Sequence, residues 1–171
     1  MRHPALLATT LLALLLTGCA GYMLGPTNGD AAGEKSVQVT PFVNQTLEPH
    51  LTDALTTEIR KRLQQDGTYK LATRGNSDII LTGVIIGYQR NETTLRPDDT
   101  FTVRDYRLTL TAQVTARSRA TGAVIVSERI VKGYTSIRVG SDQTSSERQA
   151  LPVLTADLAK NIVAILADGS W

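Results

Sequence analysis

The sequence is short of the residues on which most enzyme and metal chemistry depends. Its 171 residues contain one cysteine and two histidines, and only 5% are aromatic. A single cysteine excludes an internal disulfide, so packing has to hold the fold. Of the two histidines, His3 lies in the N-terminal segment that we expect to be removed, and His50 by itself cannot build the usual His and Cys metal site. No Gly-x-Ser-x-Gly, Walker loop or dinucleotide glycine motif occurs. We therefore expect a protein that is not an enzyme and that needs no cofactor.

An excess of one charge is lacking too. The chain has 18 Lys and Arg against 16 Asp and Glu. This balance gives no long-range field for nucleic acid, which we exclude as a partner. The adjacent carboxylates Asp98 and Asp99 follow Pro97, a pattern typical of a turn rather than of acid–base catalysis.

The apolar run near the N-terminus is too short to cross a membrane. It extends from Ala5 to Leu16 behind the positive Arg2, whereas a spanning helix needs about 20 residues. This pattern predicts an export signal over residues 1–18. The signal ends in Leu-Thr-Gly followed by Cys19, which resembles the bacterial lipobox. Cys19 is then expected to become the first mature residue and to be acylated, the alternative being a stray thiol.

The lipobox resemblance also implies a location. Each buried methylene of an acyl chain contributes roughly 0.8 kcal/mol, and stable anchoring takes more than one chain. In the sorting rule of such lipoproteins, Asp after the cysteine retains the protein at the inner membrane, and Ala20 stands here. We expect an anchor in the outer membrane on its periplasmic side. Residues 19–35, rich in Gly, Pro, Asn and Ala, are predicted to be a lipidated tether.

Residues 36–171 are predicted to form one domain. Period-two alternation predicts strands at Ser36–Phe42, Asp78–Arg90, Phe101–Arg117 and Ala123–Lys132, and helical spacing predicts helices from Pro49 to about Gln65 and over roughly Ser146–Ala167. Pro152 either kinks the second helix or marks its first turn. Residues 133–149 are predicted to be a loop. The order β-α-β-β-β-α indicates an α+β two-layer sandwich, with a mixed four-stranded sheet and two helices packed on one face.

The strand Phe101–Arg117 has one apolar and one polar face. Its polar positions carry Thr, Gln and Arg, and a change of parity predicts a bulge near Arg104 and Asp105. In the next strand Val124, Val126 and Ile130 are predicted to share one face. With the helices on the other side, the polar face points either to solvent or to a polar wall of a partner, such as the lumen of a large membrane barrel.

Several segments together resemble a known family. They are Cys19-x-Gly21-Tyr22-x-Leu24, Pro41-Phe42-x-Asn44-x-Thr46-Leu47-Glu48-Pro49, Gly87-Tyr88 and Asp105-Tyr106-Arg107-Leu108. Their order along the mature chain resembles the lipopolysaccharide-assembly lipoprotein family LptE. The resemblance implies a non-enzymatic partner of the barrel protein LptD, lying within the barrel as a plug and assisting lipopolysaccharide assembly at the outer membrane.

The resemblance further implies that lipopolysaccharide is bound. Family members use basic residues near the turn between the second and third strands and in the loop after the last strand. Arg96 and Arg138 match these positions best, and a guanidinium can hold a phosphate with two parallel hydrogen bonds. The alternative is a pair of exposed loop arginines without a ligand.

Two other functions remain open from the sequence. A strand leading into a Phe-x-Asn loop and a helix also occurs in periplasmic lipoproteins that activate a peptidoglycan synthase. A generic lipoprotein component of a lipid-transport complex is the third possibility.

Overall fold

A computed structural model of the chain describes residues 32–95, 103–138 and 143–168. The described elements, in chain order, are β1 (Ser36–Val39), β2 (Val43–Asn44), α1 (Leu51–Asp66), β3 (Lys70–Leu71), β4 (Ile79–Leu95), β5 (Val103–Ser118), β6 (Val124–Arg138) and α2 (Gln143–Asp168). The predicted signal peptide and Cys19 lie outside the described residues.

The α+β class and the mixed sheet are confirmed, but the predicted number of four strands is wrong. The sheet has six strands in the order β3-β1-β4-β5-β6, with β2 also paired to β4. The two extra strands, β2 and β3, have two residues each. Two residues are too few to show alternation in the sequence, so these strands exist only through their pairing with β4 and β1.

The sheet combines a crossover with a meander. β1 and β4 are parallel, with Val37 opposite Ile79, and α1 lies between them in the chain. β4, β5 and β6 are antiparallel neighbours, with Leu81 opposite Ala116 and Ala116 opposite Val126. The long strands therefore extend well beyond the short parallel ones. Past Ile85 of β4, the described part of the sheet consists of β4, β5 and β6.

Both helices lie on one face of this sheet, as predicted. Their fully buried residues meet the inward side chains of the long strands in one core. These are Leu51, Leu55, Ile59 and Leu63 of α1, Leu154, Leu158 and Ile162 of α2, and Leu81, Ile85, Leu108 and Leu110 of the sheet. The Tyr69 hydroxyl donates a hydrogen bond to the Leu166 carbonyl at 2.9 Å, which ties the chain after α1 to the end of α2.

The ends of α1 differ partly from expectation. The helix begins at Leu51, two residues after Pro49, because His50 adopts a left-handed conformation with φ of 65°. Its predicted end is confirmed: Gly67, at φ 76°, donates its N–H to the Leu63 carbonyl. Such a left-handed glycine commonly ends a helix.

The predicted loop over residues 133–149 is wrong. β6 continues to Arg138, and α2 already begins at Gln143. Pro152 lies inside α2, so it does not mark the first turn. By length and composition α2 could cross a membrane, but Leu154, Leu158 and Ile162 are buried against the sheet. We conclude that α2 is a core helix of the domain.

The predicted common face of Val124, Val126 and Ile130 is also wrong. Val126 is buried in the core, whereas Val124 and Ile130 are 45% and 48% exposed. The register between β5 and β6 shifts twice here. Val114 pairs with Arg129, Ala116 with Val126 and Arg117 with Val124, so each step along β5 is matched by one residue more in β6. Glu128, at φ 45°, lies within the shift between Val126 and Arg129. An extra residue in one strand reverses the faces that follow it.

Candidate functional site

The distal end of the sheet, where β4 ends, β5 begins and β6 ends, carries the predicted Arg138. Its Nε donates to Asp105 Oδ1 at 3.1 Å. The Arg138 side chain is 69% exposed and that of Asp105 is 25% exposed. The two residues pair across β5 and β6, which fixes the contact. Arg138 is thus a solvent-facing cation held in place by one carboxylate.

An open groove of about 440 Å³ lies beside this ion pair. It is lined by Thr93, Asp105, Ser136, Ile137 and Arg138. Ile137 belongs to the core side of β6 and is buried, while Ser136 and Arg138 face outward. The groove is therefore mostly polar: one apolar residue, Ile137, lies beside the guanidinium of Arg138, with Thr93, Asp105 and Ser136 around them.

Arg96 lies outside the described residues, and so do Asp98 and Asp99. Its chain neighbour Leu95 ends β4 and pairs with Val103. One step back, Thr94 pairs with Asp105, which in turn pairs with Arg138. Two strand spacings of roughly 4.8 Å separate β4 from β6. The residue that precedes Arg96, Leu95, therefore lies at the same end of the sheet at which Arg138 is exposed.

The bulge predicted near Arg104 and Asp105 is confirmed. Thr94 pairs with Asp105 and Leu95 pairs with Val103, so Arg104 is an extra residue of β5.

The outer face of the sheet, opposite the helices, carries the polar β5 residues as predicted. Arg107 and Arg117 are exposed, Thr111, Gln113 and Thr115 are half-buried, and Thr109 is buried. The face is not purely polar, however. Ile86, Ile130 and Tyr134 are exposed on it or at its margin, by 41%, 48% and 48%. The sequence analysis misplaced Ile130 because of the shift in register, and it missed Tyr134 because residues 133–149 were predicted to be a loop.

One row of side chains crosses this outer face. The register aligns Val43 of β2 with Val84 of β4, then Gln113 of β5 and Ile130 of β6. Three of these four side chains are apolar, and Val43 is 58% exposed. A mixed apolar and polar surface of this kind is typical of protein contacts.

A polar cluster fixes the start of α2 on the inner face at the distal end. Arg90 forms an ion pair with Glu147, and its guanidinium lies 5.7 Å from the centre of the Tyr106 ring. The Tyr88 hydroxyl donates to Glu147 at 3.4 Å. Burial, followed by the charges of Glu147 and Glu48, raises the pKa of Tyr88 to about 12. Tyr88 is therefore a neutral donor at any physiological pH.

The segment after β2 forms a compact turn. Asn44 Oδ1 accepts hydrogen bonds from Thr46 N and Oγ1 at 2.9 and 2.8 Å, and Asn44 Nδ2 donates to the Glu48 carbonyl at 2.7 Å. Asn44 and Thr46 are thus turn-forming residues. The turn leaves Leu47 fully exposed, at 103%.

Metal chemistry finds no support in the part of the chain that the structure describes. No group of three His, Cys, Asp or Glu residues there could hold a metal ion.

The family model LptE, described as lipopolysaccharide-assembly, matches residues 34–166. No curated protein sequence matches at a significant level.

Among solved structures, the hypothetical protein CT253 from Chlamydia trachomatis is similar, with a TM-score of 0.57 and 14% identity; the match covers 82% of this chain and 99% of that one. A minor lipoprotein from Acinetobacter baumannii is similar with a TM-score of 0.52 and 20% identity, covering 78% of this chain and 92% of the other. At such identities these likenesses show a shared fold.

The family match extends over every described strand and over both helices except the last two residues of α2. It therefore confirms the resemblance stated from the sequence motifs: the chain belongs to the LptE family of lipopolysaccharide-assembly lipoproteins.

Proposed function

We propose that this protein is an outer-membrane lipoprotein, anchored through Cys19 on the periplasmic side, that binds an LptD-type β-barrel and assists lipopolysaccharide assembly. The observation that carries the proposal is the family match over residues 34–166. This match favours lipopolysaccharide assembly over activation of a peptidoglycan synthase. It also fits a non-enzymatic role.

The outer face of the sheet supports a contact with the barrel. The helices occupy the inner face, so the outer face is free for a partner. Its Thr, Gln and Arg side chains suit the polar interior of a large barrel, and exposed Ile86, Ile130 and Tyr134 add apolar contact area. In this proposal the domain lies within the barrel as a plug.

The distal end supports lipopolysaccharide binding. A phosphate of the glycolipid would bind Arg138, together with Arg96, and polar groups next to the phosphate would lie in the groove lined by Thr93 and Ser136. A guanidinium has five N–H donors, and the contact with Asp105 uses Nε. Asp105 therefore positions Arg138 while its negative charge opposes an incoming phosphate.

A pull-down from detergent-solubilised outer membranes tests the proposal. The full chain with a C-terminal tag should retain a large β-barrel protein in a complex that resists mild heating. Recovery of a soluble synthase domain instead, or of no integral membrane protein at all, would contradict it.

A further inference from the structure

The two edges of β4 are used differently along its length. One edge pairs with β5 throughout. On the other edge, β1 pairs with Ile79 to Leu81 and β2 pairs with Val84 and Ile85. The Thr40 N–H donates to the Leu81 carbonyl and the Gln45 N–H to the Ile85 carbonyl, both at 3.0 Å. Beyond Ile85, no strand among the described residues pairs with this edge.

We call the stretch from Ile86 to Leu95 on this side the free edge. At roughly 3.4 Å per residue it is about 30 Å long. The parallel chain leaves β4 at Asn44, because the side chain of Asn44 closes the turn that leads to α1. Strand β2 thus stops while β4 continues.

A groove of about 350 Å³ marks the point where β2 leaves. The turn residues Gln45–Glu48 form one wall and Ile86, Gly87 and Tyr88 form the other. Leu47 is fully exposed and Ile86 is 41% exposed. The groove could receive an apolar side chain of a strand that continues the line of β2.

The outer edge of β6 provides the contrast, because α2 and a bulge protect it. The Tyr134 N–H donates to Asp157 Oδ2 at 2.9 Å, and Asn161 Nδ2 donates to the Lys132 carbonyl at 2.8 Å. Glu128, at φ 45°, interrupts the regular ladder below them. Helix coverage and bulges are the usual devices that prevent edge-to-edge pairing. The free edge of β4 is also interrupted by register shifts, at Ile86 and near Thr93, but its pairing is regular from Gly87 to Glu92 and no helix covers it among the described residues.

We propose that the free edge of β4 receives an extended segment of the barrel partner, which adds a strand to the sheet and places an apolar side chain between Leu47 and Ile86. A row of backbone donors and acceptors is matched by another polypeptide backbone, and a lipid cannot supply this pattern. The inference rests on the proposed function, since it assigns this surface to the same barrel.

Amide hydrogen exchange at single-residue resolution tests the added strand directly. The full chain is measured alone and in the complex co-purified from outer membranes. In a strand, successive amides point to opposite edges, so those that face β5 are already bonded. Every second amide between Gly87 and Thr93 should therefore exchange about tenfold more slowly, or slower still, in the complex.

Substitutions provide a second readout in the same complex. Leu47→Asp and Ile86→Asp place a charge in the groove and should lower the recovered barrel several-fold. Val153→Asp is the matched control, because Val153 is an apolar residue of α2 that is 59% exposed and lies outside the groove. That variant should recover the barrel as the wild type does.

Each other outcome overturns the proposal in a distinguishable way. A complex in which the amides of the free edge exchange as they do in the isolated chain refutes the added strand and leaves the proposed function intact. Protection that rises with the concentration of the isolated chain indicates a second copy as the occupant. Protection of the isolated chain that is lost when residues 20–31 are deleted indicates the tether. Failure to recover any barrel refutes both proposals.

Discussion

At the scale of single residues, Asp78 joins the beginnings of β1 and β4. Its Oδ2 accepts hydrogen bonds from Ser36 N and Ser36 Oγ, both at 2.7 Å. These bonds, first that from the Ser36 side chain, hold the pKa of Asp78 below its ordinary value of 3.8. The carboxylate form therefore stabilises the native state above that pH, and the contribution is lost as the pH falls through the lower, folded-state pKa.

We predict that Asp78→Asn lowers the melting temperature at pH 7 and that its difference from the wild type shrinks below pH 3.8. Ser36→Ala keeps the carboxylate but removes the side-chain hydroxyl that donates to it. This variant should also lower the melting temperature at pH 7, by less than Asp78→Asn does. Thermal unfolding followed by circular dichroism would check this between about pH 2.5 and about pH 7. The lower limit lies roughly one pH unit below the ordinary pKa of an aspartate, and the upper limit lies well above it. If the melting temperatures of Asp78→Asn and the wild type differed by the same amount over that whole range, the link to the protonation of Asp78 would be refuted.

Arg138 and Asp105 make a second prediction at this scale. Arg96→Asp combined with Arg138→Asp should weaken lipopolysaccharide binding by roughly tenfold or more, since charge-assisted hydrogen bonds are lost and repulsion is gained. Asp105→Asn should strengthen binding, because it removes the negative charge that competes with phosphate. Light scattering or fluorescence titration with purified lipopolysaccharide would measure both.

Arg74→Asp is the control for these variants. Arg74 is an exposed residue between β3 and β4, at the opposite end of the sheet. Its substitution should leave binding unchanged. Equal loss with Arg74→Asp and with the double variant would mean that general charge, rather than the distal end, governs the interaction.

At the scale of elements, two glycines set how closely the layers pack. A Cβ at Gly133 would lie 2.6 Å from the backbone nitrogen of Leu158, so β6 and α2 would have to separate. A Cβ at Gly83 would lie 2.2 Å from Phe42 Cε1, inside the core. The sheet therefore admits α2 and the buried Phe42 only where β6 and β4 lack a side chain.

We predict that Gly133→Ala destabilises the domain by about 1–3 kcal/mol, the usual cost of overpacking. Gly87→Ala is the matched control: its Cβ would lie 3.7 Å from Thr111 Cβ, an ordinary contact. It should change the free energy of unfolding by about 0.5 kcal/mol or less. Urea denaturation measures both, and equal effects would show that the close approach of α2 is not rigid.

At the scale of the whole molecule, we expect the folding of the domain to be independent of its lipid anchor. Cys19 precedes β1 by seventeen residues, so acylation should decide where the domain resides and not whether it folds. Cys19→Ala should abolish incorporation of labelled fatty acid, while the melting temperature of the purified protein stays the same. Labelled fatty acid that persists on this variant would contradict the anchor.

The sequence predicted those features that depend on neighbouring residues in the chain. Three- and four-residue spacing identified both helices and their buried faces. A run that is apolar on both faces identified β4, and alternation identified β5 with its polar face and the first part of β6. Family motifs spread over the mature chain identified the LptE family, which the match over residues 34–166 confirms. The anchor at Cys19 stays a prediction.

Only the tertiary structure decided the features that depend on register between distant segments. The two-residue strands β2 and β3, the reversed face of Ile130, the contact of Arg138 with Asp105 and the free edge of β4 all follow from which residues face one another. A single extra residue, such as that near Glu128, reverses the faces of the residues between it and the next shift in register. The position of the extra residue depends on the pairing between strands that are distant in the sequence, so the periodicity within one strand does not show it.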